Sequence, residues 1–390
     1  MAYKQSLLVT AGTVLNSLLG LVFYILVARV LGLIGFGQFS FYLGFGIMAA
    51  ELGDLGASAA LIKFGSLKET FPRIYSFVFL QRLSAILLIT IIFMITGNLI
   101  CALIAAGLLL ASLSIQGLVA RQKFAPQIAA NIFGNLLRLG LAFLLNLNNN
   151  LTPITTLYIF FIGSMTTYLS GQLVILAEFG FGLFNFEKIR EVFTSVFKFS
   201  LPTALSFSAA SVSSRVDIPI IYVFAGPASV GIYSSAQKLV SILPQVLSAV
   251  DTVFAPKLSL KSVTAFKEYI ILSVIGGAGL ILGAFIAGPL AVIFFGREYE
   301  KAGLTLSLLF LANIPLFLSG PFAAKILYGY GKSNYHLVVS IIGLIFSLAG
   351  YFYLVPLFGA PGAALSVGIA NIAALFSYIY ISKKLNEKNL

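Results

Sequence analysis

The chain has 390 residues, 59% of them hydrophobic and 9% charged, and a mean hydropathy of +1.04. Soluble domains carry about 25% charged residues, so too few charges are present here to coat a water-facing surface; an ordinary cytosolic enzyme, a disulfide scaffold and a disordered chain are excluded, and an integral membrane protein is left. The net charge of +12 does not signal nucleic acid, because the basic residues are scattered between apolar runs in the manner of loop charges that set topology.

A membrane-crossing helix needs about 20 mostly apolar residues, since hydrocarbon offers backbone amides no partner outside the helix itself. In chain order the runs that qualify are 7–31, 37–61, 74–96, 98–119, 126–146 and 154–178, then 199–224, 229–254, 268–288, 303–328, 335–355 and 361–382. Twelve spans are therefore expected. Continuous rather than alternating apolarity rules out a β-barrel. The first run is too long for a cleavable signal peptide and leads straight into another span. Seventeen loop Lys and Arg residues fall on the side of the N-terminus, against Arg29, Arg297 and Lys301 on the other. That asymmetry predicts cytoplasmic N- and C-termini.

The two halves resemble each other. Gly32, Gly37, Phe39 and Ser40 recur as Gly226, Gly231, Tyr233 and Ser234, a shift of 194 that also carries Lys63 to Lys257 and Arg73 to Lys267; Lys123 and Gly134 match Lys332 and Gly343 at a shift of 209. Six spans per half make this a parallel repeat about an axis along the membrane normal. The boundaries expected are an N-terminal bundle at 1–185, a cytoplasmic linker at 186–198 and a C-terminal bundle at 199–390. Prolines concentrate in the second half, where Pro219, Pro244, Pro315 and Pro321 fall within expected spans. Each removes a helical hydrogen bond, which makes them candidate hinges or static kinks.

Catalytic patterns are missing. Gly331-Lys332-Ser333 imitates the end of a phosphate-binding loop, but Ile326 stands where its first glycine belongs, so it reads as the turn into span 11. Asn150-Leu151-Thr152 is a formal glycosylation sequon whose following Pro153 and Asn-rich turn argue against use. The single Cys101 and single His336 exclude a Cys-ligated zinc site and a multi-histidine metal site.

The informative residues are charges inside spans, each costing about 2.5–3.5 kcal/mol near the bilayer centre unless it faces protein or water. Arg138 and Arg215 lie too deep for easy snorkelling and are expected to line a cavity. Arg29, Arg82 and Lys238 lie nearer the ends, where either snorkelling or cavity lining fits. The embedded acids are Glu51, Asp54, Asp217 and Asp251. Glu51 and Asp54, three apart, share one helix face; such a pair suits a proton carrier or sodium ligand, and equally suits neutralising nearby arginines. Guanidinium forks bind phosphate bidentately, so the set points to a carrier of something anionic rather than an enzyme.

Ile25-Leu26-Val27-Ala28-Arg29-Val30-Leu31-Gly32, followed by Phe36-Gly37-Gln38-Phe39-Ser40, resembles the opening of polysaccharide biosynthesis membrane proteins, the Wzx-type O-antigen flippases of the multidrug/oligosaccharidyl-lipid/polysaccharide (MOP) exporter superfamily. Gly331-Lys332-Ser333-Asn334-Tyr335 and the stretch from Leu354 to Ala364 resemble that family's segment around spans 11 and 12, with Pro361 a minor departure. The resemblance implies an all-α polytopic membrane protein of about twelve spans, built as two six-helix bundles in a MATE-like V. It further implies transfer of undecaprenyl-pyrophosphate-linked oligosaccharide from the cytoplasmic to the periplasmic leaflet of a bacterial inner membrane. Transport by alternating access, coupled to a proton or sodium gradient with no other cofactor, belongs to the same implication. Its partners would be the lipid-linked oligosaccharide, the bilayer and other polysaccharide assembly proteins. Two alternatives carry less of the sequence: a drug or cation antiporter, whose cavity should favour carboxylates, and a membrane glycan polymerase or glycosyltransferase, which needs a large catalytic outer loop.

Overall fold

The computed structural model describes residues 2–186, 194, 196, 215–260 and 262–387. Among the described residues the chain is helical, with no strand. Its helices are α1 (Ala2–Asp54), α2 (Ala57–Phe64), α3 (Phe71–Ile95), α4 (Leu99–Ala120), α5 (Phe124–Leu147), α6 (Pro153–Phe179), α7 (Asp217–Val240), α8 (Leu243–Ser259), α9 (Val263–Phe285), α10 (Ala287–Phe295), α11 (Ala302–Ala324), α12 (Ser333–Phe358) and α13 (Ala360–Glu387). Among the described residues, ten helical stretches are long and apolar enough to cross a membrane. The chain is an all-α, multi-pass membrane protein.

Among the described residues these stretches take up most of the twelve expected spans. Spans 1 and 2 are two helices that meet at a kink within α1, where Gly32 (φ 64, ψ −177) leaves the helical conformation. The second expected span then breaks at Leu55 and Gly56, both left-handed (φ 48 and 71), so that α2 starts afresh. Of span 7, residues 199–214 lie outside the described residues, and its end opens α7. Span 8 is divided between α7 and α8. The other eight spans match single helices to within a few residues, as expected of uninterrupted apolar runs. Thr152 starts α6 with a reciprocal cap, its hydroxyl accepting from the Thr155 amide at 3.2 Å and its own amide donating to the Thr155 hydroxyl at 2.8 Å. That threonine of the sequon is thus a helix cap. Gly331 (φ 64) turns the chain into α12, as read from the sequence.

The prolines sort by position. Pro219 and Pro244 occupy first turns of α7 and α8, where the missing amide has no partner to lose. Pro315 and Pro321 lie inside α11, and Pro227, not among the expected hinges, follows the Gly226 turn inside α7.

Two compact units emerge from the contacts. The first takes residues up to Leu31 and from Phe39 to Arg215; the second takes Gly32–Gln38 and the chain from Val216 onward. In the first, Leu61, Phe71, Tyr75, Leu113, Leu118 and Ile175 form a core that joins α2, α3, α4 and α6, and the Tyr75 hydroxyl donates to Gln172. In the second, Phe254 stacks on Tyr269 at 4.8 Å beside Leu258 and Ala324, while Ile326, Val339, Tyr378 and Ile381 join α12 to α13. Of the expected linker, most lies outside the described residues.

The sequence repeat has a backbone counterpart. Gly226 (φ 77, ψ 175) adopts nearly the conformation of Gly32, 194 residues earlier. Five residues on, within the second unit, a Cβ on Gly37 would stand 1.8 Å from the Pro227 carbonyl oxygen, and one on Gly231 would stand 2.1 Å from the Leu33 carbonyl oxygen. Leu33 and Pro227 are themselves 194 apart. Two equivalent helix starts therefore cross reciprocally, each glycine admitting the other's backbone at a distance no side chain tolerates.

Candidate functional site

In the first unit a cavity of about 630 Å³ is bordered by all four of Glu51, Asp54, Arg82 and Arg215. The last turn of α1 supplies the two carboxylates on one face, as their spacing predicts. The break at Leu55 and Gly56 then places Asp54 at the start of α2. There its Oδ2 accepts from the Ser58 amide at 3.3 Å, and its Oδ1 from the Ser58 hydroxyl at 2.6 Å. A carboxylate is favoured at such a helix start, where amides are unpartnered.

Arg82 reaches this group from α3. It is fully buried, and its Nη2 donates to both Asp54 Oδ1 and the Ser58 hydroxyl, the latter at 2.8 Å. Next to it, Gln81 Nε2 donates to the Gly53 carbonyl at 2.7 Å, tying α3 to the end of α1. Arg82, Asp54 and Ser58 form a hydrogen-bonded knot through Nη2, with Arg82 Nε and Nη1 buried without a hydrogen-bond partner among the described residues. Arg215 and Glu51 do not: their nearest nitrogen and oxygen are 3.9 Å apart, beyond hydrogen-bond reach, and each side chain is about one third exposed (32% and 34%). Ser112 and Gln116 of α4 add a hydroxyl and an amide to the wall. The cavity thus holds one tight and one loose ion pair.

Arg138 is placed elsewhere in the same unit. From α5, its Nη1 donates to Asn135 Oδ1 at 3.0 Å, its Nη2 donates to the Ser164 hydroxyl at 2.7 Å, and its guanidinium lies 4.1 Å over the Phe160 ring. Asn135 Nδ2 in turn donates to Asn16 Oδ1 at 2.6 Å. Gly163 makes the slot, since a Cβ there would come 2.2 Å from Arg138 Cγ. Among the described residues, no carboxylate pairs with Arg138. Arg29 is exposed on α1 before the Gly32 turn.

The remaining predicted residues belong to the second unit. Asp217, 2% exposed, accepts from the Tyr233 hydroxyl at 2.8 Å, the Gln237 amide at 3.1 Å and the Ile218 amide at 2.7 Å. Asp251, on α8, accepts from the Tyr269 hydroxyl of α9. Lys238 is half-buried on α7. Sequence reading found the charged members but missed Ser58, Ser112, Gln116, Asn16, Asn135 and Gln237. Short polar residues at mid-span were the available signal: Ser58 lies four after Asp54, and Asn135 three before Arg138.

Fold and site together define a multi-pass membrane protein with guanidinium groups held at depth by hydroxyls, amides and carboxylates. A family model described as polysaccharide biosynthesis protein matches residues 2–262, and the chain belongs to that family. The capsular polysaccharide biosynthesis protein CapF of Staphylococcus aureus is 26% identical over 210 residues, covering 52% of each chain. The chain spans about half the length of the curated relatives it matches. Among solved structures, a lipid II flippase MurJ in an inward closed conformation matches with a TM-score of 0.77 at 18% identity, over 97% of this chain and 87% of that one. An inward-facing multidrug resistance MATE family transporter of the MOP superfamily matches with a TM-score of 0.69 at 17% identity, over 96% of both chains. Both likenesses are likenesses of fold, the one that the opening motif implies.

Proposed function

We propose that this protein is a flippase that moves an oligosaccharide linked to undecaprenyl pyrophosphate from the cytoplasmic to the periplasmic leaflet of a bacterial inner membrane, by alternating access. The observation that carries the reading is the cavity in which Arg215, only loosely paired, keeps a guanidinium open to an anion. A planar fork of donors suits a phosphate, and the hydroxyl and amide of Ser112 and Gln116 suit sugar hydroxyls. Arg138, held by neutral groups, is a second place for negative charge; Arg29 and Arg82 of the first unit and Lys238 of the second are further candidates for contact with the anionic substrate. Family membership supports a role in polysaccharide assembly, and the loop charges support cytoplasmic termini.

Coupling to protons or sodium is assigned first to Asp217, the most buried of the four carboxylates, with Glu51, Asp54 and Asp251 as further candidates. A coupling ion acts only through its differential affinity for the two states of the carrier. In vesicles with and without an imposed proton or sodium gradient, the wild type should respond to one of them and Asp217→Asn should lose that response. Retention of the full response by the variant removes the assignment.

The substrate class is tested by deleting the gene and analysing lipid extracts. Accumulation of an undecaprenyl-linked repeat unit is expected. Unchanged glycolipids together with altered dye efflux would instead favour a drug antiporter, the reading to which the two cavity carboxylates lend weight.

A further inference from the structure

The two ion pairs of the first-unit cavity differ in a way that bears on what the cavity admits. In the knot, both Asp54 oxygens accept hydrogen bonds and Arg82 is fully buried, so an incoming anion finds little to displace. The Arg215–Glu51 pair is different. Its atoms stand 3.9 Å apart without a hydrogen bond, both side chains are about one third exposed, and Glu51 Oε2 and Arg215 Nε have no hydrogen-bond partner among the described residues. Those two atoms are buried, while the rest of each side chain is partly exposed and both residues border the cavity.

We infer that Glu51 is a specificity residue that makes the cavity prefer a glycosylated lipid pyrophosphate over a bare one. The inference rests on the reading that an anionic lipid headgroup docks on Arg215. A bare pyrophosphate on that guanidinium brings its negative charge close to the Glu51 carboxylate, and like charges at such range in a half-buried wall repel strongly. A glycosyl pyrophosphate presents, beside its phosphate oxygens, the hydroxyl or acetamido N–H of the first sugar ring. That donor gives the partly exposed Glu51 carboxylate a charge-assisted hydrogen bond while the phosphate takes the Arg215 fork. Sites that demand a donor reject the analogue lacking it, because a partly desolvated acceptor is otherwise left unpaired. The loose pair therefore reads two adjacent features, an anion and a neighbouring donor.

The test uses the full chain purified in detergent and two probes: farnesyl pyrophosphate, and the same lipid carrying N-acetylglucosamine on its pyrophosphate. The wild type should bind the sugar-bearing probe more tightly. Glu51→Gln should tighten binding of the bare probe about two- to fivefold, the range of a partly exposed charge interaction, and shrink the preference between probes. Glu51→Ser, which also removes the charge, should repeat the gain on the bare probe and guards against a fold-specific defect of the first variant. Arg215→Gln should weaken both probes alike. If Glu51→Gln leaves the bare probe unchanged or weakens it, or if the wild type binds both probes equally while Arg215→Gln still loses them, the inference about Glu51 fails and the flippase reading stands. If the wild type binds neither probe, the docking of a lipid pyrophosphate on Arg215 fails, and Glu51 with it.

Discussion

Arg82 and Arg138 show two ways of keeping a guanidinium at membrane depth. Arg82 is neutralised by Asp54 and braced by Ser58; Arg138 is cradled by Asn135, Ser164 and the face of Phe160. The knot should matter mainly for folding. Arg82→Gln leaves the partly buried Asp54 carboxylate with Ser58 but without its cation, a loss of up to about 3–5 kcal/mol, the range for a broken buried pair. It should appear as a marked fall in the thermal midpoint of the detergent-solubilised protein, with much of it restored when Asp54→Asn is added. A single variant as stable as the wild type would show that the pair contributes nothing. Of this residue-scale picture, the sequence showed that Glu51 and Asp54 share a face and that Arg138 lies deep. It could not pair Asp54 with Arg82, because a contact across 28 residues depends on how α3 packs, not on local periodicity. Nor could it separate Arg138 from the cavity residues, since depth along a helix says nothing about which way the side chain turns.

At the scale of elements, the apolar runs were nearly all legible as helices because their length is dictated by the bilayer. What was not legible is how helices join. Gly32 breaks the helical backbone inside α1, and Leu55 with Gly56 ends it before the apolar run ends; both are local backbone choices, invisible to a hydropathy window. The repeat was visible as glycines 194 apart, and the structure supplies the reason for them. At the crossing, Gly37 and Gly231 each meet a carbonyl closer than any Cβ permits. Gly37→Ala or Gly231→Ala should therefore overpack the joint and cost at least the 1–3 kcal/mol typical of about one added methyl in a packed site. Gly140, which faces open space on α5, should accept alanine with little change. Thermal unfolding of the three variants decides this. Equal midpoints would mean that the close approach of the two backbones is dispensable.

At the scale of the whole molecule, composition and loop charge already determine a multi-pass membrane protein, and the family match ties it to polysaccharide biosynthesis. Function, by contrast, hangs on which buried charges remain available to a substrate. Among the described arginines of the first unit, Arg215 combines a loose partner with a place on the cavity wall. The direct measurement is lipid flipping in proteoliposomes that contain the purified chain and a fluorescent lipid-pyrophosphate oligosaccharide, scored by the probe that becomes accessible in the opposite leaflet. Wild-type protein should accelerate its crossing, and Arg215→Gln should slow it about tenfold or more, the loss expected when a charge-assisted, bidentate contact is removed. Crossing at the wild-type rate by a well-folded Arg215→Gln variant would contradict the account.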